Sequence, residues 1–238
     1  MTIRENQYPV HDLIVPHHIL VSVSDKTRLL EVVAGILNVN EHAHFYSTGG
    51  TGKELVTILR DCVGSSYTPV ETFTGAPEME GGLVKTLHPK VHGGLLAERD
   101  NPAHIQFLEE AMLQPTGIPG VYFDIVVNNL YPFERVIEEG ATPEQARVNI
   151  DIGGPAMVMA AAKNWHSVAV LTSPDDYFSF VQILRNQGGT TLKQRFRLAR
   201  EAFFRIGQYR EAIAEHFLNL DFEQDIEPGL TIKDDTRH

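Results

Sequence analysis

The chain has 238 residues, 20 Lys and Arg against 31 Asp and Glu, a formal net charge of −11 and 42% apolar residues. That balance excludes a broad electropositive surface for nucleic acid, so an anionic ligand has to be gripped locally by backbone N–H groups and a few cations. The single cysteine, Cys62, excludes an intrachain disulfide framework and a cysteine-rich zinc site. No apolar run approaches the roughly 18 residues of a membrane span. The first residues, Met1 to Pro9, lack the apolar core of a secretory signal, so a cytoplasmic setting is expected. Eleven histidines are scattered without metal-ligand spacing, and no metal is expected.

In chain order, residues 1–16 read as an irregular leader. The apolar, β-branched run from His18 to Ser24 predicts a buried strand. Arg28 to Leu37 has helical spacing, with Asp25 or Thr27 placed to cap it. A short strand over Ala43 to Ser47 runs into Thr48-Gly49-Gly50-Thr51 and a helix to Arg60. The segment from Gly81 to Gly94 is too glycine-rich for a stable helix and is expected to be a ligand-binding loop, the alternative being a mobile surface loop. Phe123 to Leu130 and Ser167 to Thr172 read as buried strands. Helical stretches are expected near 134–139, 143–149 and 155–163. The chain after Pro174 reads as mostly helical to Asn219, and residues 221–238 as a polar tail. Strands alternating with helices predict one α/β domain over 17–220 with a mainly parallel sheet. Ligands of such sheets sit outside the carboxyl ends of the strands.

Several segments carry candidate chemistry. In Asp151-Ile-Gly-Gly-Pro-Ala-Met-Val-Met-Ala-Ala-Ala-Lys163-Asn164, a carboxylate precedes a glycine pair, Pro155 suits a first helical turn, and a lysine follows among alanines. Free N–H groups at that helix start favour an anion. A desolvated Lys163 would lose its proton readily; the alternative is a plain helix with an exposed lysine at its end. Thr48-Gly49-Gly50-Thr51 can form an anion nest or a turn that binds nothing. Its spacing is neither a Walker loop nor a dinucleotide fingerprint. Ser24 can donate to a phosphate that Lys26 neutralises, or the segment is capping plus a solvated lysine. Lys85 and Thr86 can meet an anion while His88 holds the loop. Asn128 and Asn129 can read a heterocycle edge, and Tyr131 can donate a proton; otherwise they form a simple turn. Trp165, Phe133 and Cys62 are expected to be core residues.

Six of these segments occur in one order: Ser-Val-Ser-Asp-Lys-Thr (22–27), Ser-Thr-Gly-Gly-Thr (47–51), Val-Lys-Thr-Leu-His-Pro-Lys-Val-His-Gly-Gly (84–94), Asn-Leu-Tyr-Pro-Phe (129–133), Asp-Ile-Gly-Gly-Pro (151–155) and Ala-Ala-Lys-Asn (161–164). Over roughly residues 17–220 the chain resembles the inosine monophosphate (IMP) cyclohydrolase domain of the bifunctional purine-biosynthesis family. The resemblance implies a methylglyoxal-synthase-like, three-layer αβα fold with extra C-terminal helices. It also implies dehydrative ring closure of 5-formamidoimidazole-4-carboxamide ribotide to IMP, with no cofactor.

Carried over residue by residue, Lys163 matches the catalytic lysine, assigned to proton transfer. Asp151 would engage the carboxamide, and Lys85 and Tyr131 would polarise the formyl oxygen. Ser24, Asp25, Lys26, Thr48, Gly49, Gly50 and Thr51 match contacts to phosphate and ribose. Thr86, Asn128, Asn129 and Ile152 match further ligand contacts. All are expected in one cleft, with Lys163 close to the Gly49–Gly50 turn. The pattern departs at Leu83 and Met159, where arginine is usual, and at Ala156. The family's formyl-transferring domain has no counterpart here and is expected as a further domain or separate chain; a homodimer is implied by resemblance only. Alternatives are a cyclase acting on a related modified nucleotide, a non-catalytic purine-nucleotide-binding regulatory domain, and a lyase on a small phosphorylated sugar.

Overall fold

The computed structural model describes residues 7–60, 66–77, 79 and 84–233; Cys62 and the segment 80–83 lie outside the described residues. Five parallel strands form the central sheet in the order β4-β3-β2-β5-β6: β2 (His18–Val21), β3 (His44–Ser47), β4 (Ser66–Pro69), β5 (Ile125–Val127) and β6 (Ala169–Leu171). Alternation along each strand sends side chains to two separate apolar layers. Ile19, Val21, Ile125, Val127, Ala169 and Leu171 pack against α1 (Leu29–Leu37) and α9 (Tyr177–Gln187). Leu20, Val126 and Val170 pack against α4 (Pro89–Leu96), α8 (Gly153–Lys163) and α10 (Leu192–Leu218). The sheet is covered on both faces, which is why its strands read as unbroken apolar runs. The three-layer αβα arrangement is therefore present.

Several elements differ from expectation. The strand read over Phe123 to Leu130 is regular only over β5, with single hydrogen bonds from Asp124 N to His18 O and from Asn128 N to Leu171 O at its ends, because the sheet's partner strands are short. β4 and α3 (Val70–Thr74) carry too few apolar residues to announce themselves. α4 forms inside a glycine-rich stretch because Pro89 opens it and His88 Nδ1 accepts from Lys90 N at 3.1 Å. Its Gly94 meets a close neighbour: a Cβ there would lie 2.3 Å from Val121 O. α1 is not capped by Asp25 or Thr27; its N-cap is Arg28 at φ 60°, and Asp25 Oδ1 instead accepts from Thr27 N at 2.8 Å. After α2 (Gly49–Leu59) and α5 (Pro102–Gln106), the helices α6 (Phe133–Glu138) and α7 (Pro143–Val148) fall close to the expected places.

The leader is ordered at its end. β1 (Leu13–Ile14) pairs antiparallel with β7 (Thr190–Thr191), a strand inside the region expected to be helical. The guanidinium of Arg195, a fully buried residue of α10, makes this possible. It donates to Trp165 O at 3.2 Å, His166 O at 3.0 Å, Asp12 O at 3.2 Å, Thr190 O at 2.6 Å and His11 O. Burial pulls its pKa down to about 10, so it remains charged at neutral pH. Removing it leaves buried carbonyls unpaired. Arg195→Met should lower stability by about 2–4 kcal/mol, read as a shift in the urea midpoint.

The amino ends of the strands hold a second polar knot, away from the ligand edge. Asp124, buried, accepts from His17 N at 2.7 Å and His18 N at 2.8 Å and pairs with Arg99. Burial lowers the pKa of His18 from 6.5 to about 4, against a smaller upward pull from Asp124. The unfolded chain therefore binds a proton at His18 that the folded chain refuses. This contribution is complete above pH 6.5, fades as the pH falls toward 4, and changes no further below that. Its full size is at most about 3 kcal/mol. In urea titrations between pH 7 and pH 4, His18→Gln should flatten the acid-side loss of stability relative to wild type.

Candidate functional site

Loops leaving the carboxyl ends of β2, β3 and β5 meet the turn before α4 and the turn that opens α8. Between them lies a cleft of about 310 Å³. Its lining includes Ser22, Thr48, Lys85, Thr86, Asn149, Asp151, Ile152, Gly153, Gly154 and Met157. The parallel sheet places every one of these loops on the same edge.

One wall is the start of α2. Thr48 stands at its N-cap without a side-chain hydrogen bond, and Gly49 has φ +46°. Two ammonium groups stand over this helix start. A Cβ built on Gly49 would lie 3.7 Å from Lys85 Nζ, and one on Gly50 would lie 3.8 Å from Lys26 Nζ. First-turn N–H groups, the positive end of the helix dipole and two cations together favour an anion. In a chain of net charge −11 this concentration is local.

The opposite wall is the start of α8. Asp151 Oδ1 accepts from Gly154 N at 3.0 Å, as a helix cap does. A Cβ on Gly154 would lie 2.2 Å from Asp151 Oδ2, and one on Gly153 would lie 2.6 Å from Thr86 Oγ1. The glycine pair thus lets the carboxylate and the threonine close on the helix backbone. Asn128 is buried, its Oδ1 has no hydrogen-bond partner, and a Cβ on Gly154 would sit 3.4 Å from it. Tyr209 of α10 fixes this wall from behind, accepting from Asp151 N at 2.8 Å.

Other predicted residues hold the loops rather than line the cleft. Asn129 Oδ1 accepts from Ser24 N, Ser24 Oγ and Asp25 N at 2.7, 3.0 and 2.9 Å, and its Nδ2 donates to Asp25 O at 2.6 Å. Thr51, buried, accepts from Val23 N at 3.1 Å and donates to Val23 O at 3.0 Å. Hydrogen bonds from Thr27 hold the Asp25 carboxyl below the usual range. Lys90 of the glycine-rich segment is buried, donates to Thr116 Oγ1 at 3.0 Å and to Ile118 O, and lies over the Phe73 ring. Tyr131, 42% exposed, follows the β5 loop and does not line the cleft.

Lys163 is not brought into the cleft. It ends α8 and is exposed, ten residues beyond the Gly153 start. At the rise of an α-helix that is about 15 Å. The next residue, Asn164, donates to Leu95 O at 2.9 Å and Ala97 O at 3.1 Å, at the far end of α4. The expectation overlooked that a straight helix separates its two ends. Ala156 and Met159 lie on the same helix and outside the cleft lining, and Leu83 lies outside the described residues. Tyr209 has no local sequence signal, because it reaches Asp151 only through the packing of α10 on α8.

Comparison with known proteins agrees with this architecture. The family described as the MGS-like domain matches residues 28–156, and the family described as the AICARFT/IMPCHase bienzyme matches residues 161–237. The chain is 42% identical over 213 residues to the bifunctional purine biosynthesis protein PurH of Synechocystis sp., covering 89% of this chain and 39% of that protein. It is 44% identical over 199 residues to PurH of Bradyrhizobium diazoefficiens, covering 83% and 35% respectively. The chain thus spans well under half the length of these relatives. A solved structure, the crystal structure of ForH, superposes with a TM-score of 0.64 at 31% identity, covering 85% of this chain and 99% of that one. With the two helix starts, the ordered motifs and this likeness all in place, the chain belongs to the MGS-like domain family and, within it, is related to the bifunctional PurH proteins.

Proposed function

We propose that the chain is an IMP cyclohydrolase, closing the purine ring of 5-formamidoimidazole-4-carboxamide ribotide with loss of water. The observation that carries this reading is the pairing of an anion-binding helix start with a carboxylate across one cleft. Lys26 and the N–H groups of Gly49 to Thr51 hold the phosphate. Lys85 lines the cleft with Asp151 and also reaches the Gly49 turn, so it spans from the phosphate end toward the reacting end.

The two reacting groups belong to one molecule, so the first task is to hold the formyl carbon against the carboxamide nitrogen. Asp151 Oδ1 is occupied by Gly154 N, which leaves Oδ2 to accept from the carboxamide as its nitrogen forms the new C–N bond. Lys85 donates to the formyl oxygen as charge gathers there, and that oxygen leaves as water after gaining protons. Asn128 Oδ1, buried and unpartnered, is placed to accept from the ligand near the same helix start. Ile152, exposed, stands at the rim, while Tyr131 lies outside the lining and carries no step here. Proton handling falls to groups inside the cleft, and Lys163 has no part in it. The substrate also requires a formyl-transferring activity, in a further domain or a separate chain, and a cytoplasmic setting; association as a homodimer belongs to the same reading.

Incubating the protein with the formamido ribotide should produce the absorbance of the purine. Absence of turnover with tight IMP binding would replace this reading with that of a nucleotide-binding regulatory domain. Lys85→Ala and Asp151→Asn should each lower kcat by ~10²-fold while IMP affinity changes far less. Lys163→Ala should leave turnover within about threefold of wild type, since a side chain that does not touch the reacting atoms contributes little to the transition state. A loss above tenfold in that variant would mean that the lysine reaches a cleft from another copy of the chain.

A further inference from the structure

We propose that Glu71 is a positioning residue that holds the Lys85 ammonium at the Gly49 turn. This rests on the cyclohydrolase reading for its consequence and on the unliganded structure for its geometry. Glu71 Oε1 lies 3.8 Å from Lys85 Nζ, with the two side chains only 29% and 14% exposed. At that burial the attraction is screened less than in a surface pair. Glu71 does not line the cleft, so it acts on a ligand only through the lysine.

Its own position is fixed by the fold. β4 ends at Pro69 on the ligand edge of the sheet, and α3 starts at once, placing Glu71 in its first turn. Four residues earlier, Tyr67 leans on the backbone of α2: a Cβ on Gly52 would lie 2.1 Å from the Tyr67 hydroxyl. Burial and the nearby Glu71 charge both push the Tyr67 phenol up. β4 and α3 are thereby packed against the helix whose first turn carries Gly49. The carboxylate and the anion-binding turn belong to one rigid wall, and Lys85 reaches that wall from a different segment. A lysine has four rotatable bonds and one compact charge. A fixed carboxylate behind it selects the rotamers that present its N–H groups to the cleft, and the charge pair is kept while the substrate passes through its anionic stage.

The test is a double-mutant cycle with Glu71→Gln and Lys85→Ala. Glu71→Gln should lower kcat roughly tenfold and leave KM within about threefold. In the Lys85→Ala background the same change should cost less than about twofold, because the lysine it positions is gone. Independent, multiplying losses would overturn the proposal. Glu71→Asp should restore part of the rate; where the Gln variant does not fold, Asp takes its place in the cycle with the same expected coupling.

Wild-type turnover is measured first, and its absence sinks the cyclohydrolase reading without deciding the role of Glu71. The decision then comes from the unliganded protein, by reductive methylation followed with mass spectrometry. Glu71→Gln should raise the modification rate of Lys85 relative to exposed Lys53 by about threefold or more. Buried Lys90 should stay protected, which reports that the fold is intact. An unchanged Lys85 to Lys53 ratio would overturn the proposal.

Discussion

The carboxamide of Asn129 is the tie on which the ligand edge depends. One oxygen accepts three hydrogen bonds from Ser24 and Asp25, and the nitrogen returns one to the Asp25 carbonyl. It joins the end of β5 to the loop after β2, and Thr51 joins that loop to the first turn of α2 through Val23. Three strand ends are thus bound together by side chains of the loops themselves. Their polar groups are satisfied by one another, and this keeps the backbone N–H groups of the α2 start in a fixed direction before anything binds. Preorganised donors of this kind stabilise developing charge without reorganising.

The electrostatics follow from how few cations the edge has. A net charge of −11 repels an anionic ligand over most of the surface. The counterweight is the two helix starts with the ammonium groups of Lys85, which lines the cleft, and Lys26, which stands over the start of α2. Asp151 and Glu71 keep the cluster from being simply positive. One carboxylate caps α8 and faces the cavity; the other stands behind Lys85. The site combines attraction for a phosphate at one end with an acceptor at the other, which suits a ribotide better than free phosphate.

Much of this could be read from the residues alone, and the exceptions have physical causes. Apolar runs such as His18 to Ser24 declare buried parallel strands because both faces are covered. Helices α1, α2, α8 and α9 follow from spacing and from Gly and Pro at their starts. The glycine pairs at 49–50 and 153–154 signalled close approach: the second lines the cleft, and the first follows Thr48, which lines it, with two lysine ammonium groups close by. α4 escaped because propensity weighs glycine against a helix, while tight packing of Gly94 on Val121 outweighs that cost. β1 escaped because two residues held by a distant arginine leave no local pattern. The placement of Lys163 beside the Gly49 turn confused order along the chain with proximity in space. The length of a straight α8 was itself legible and argued against it. Glu71 and Tyr209 had no such signal, since an isolated glutamate in a short helix and a tyrosine on a long one are ordinary.

Helix α8 is clamped at both extremities, by Asp151 and Tyr209 at the cleft and by Asn164 on the carbonyls of Leu95 and Ala97 at the other edge. A rod pinned at each end does not slide. Any tightening of the cavity around a guest has to come from the loops facing that rod rather than from the rod itself. On the facing side, the carboxylate of Glu71 beside Lys85 and the imidazole of His88 on the Lys90 N–H brace the turn in front of α4, so the receptacle is braced on both flanks.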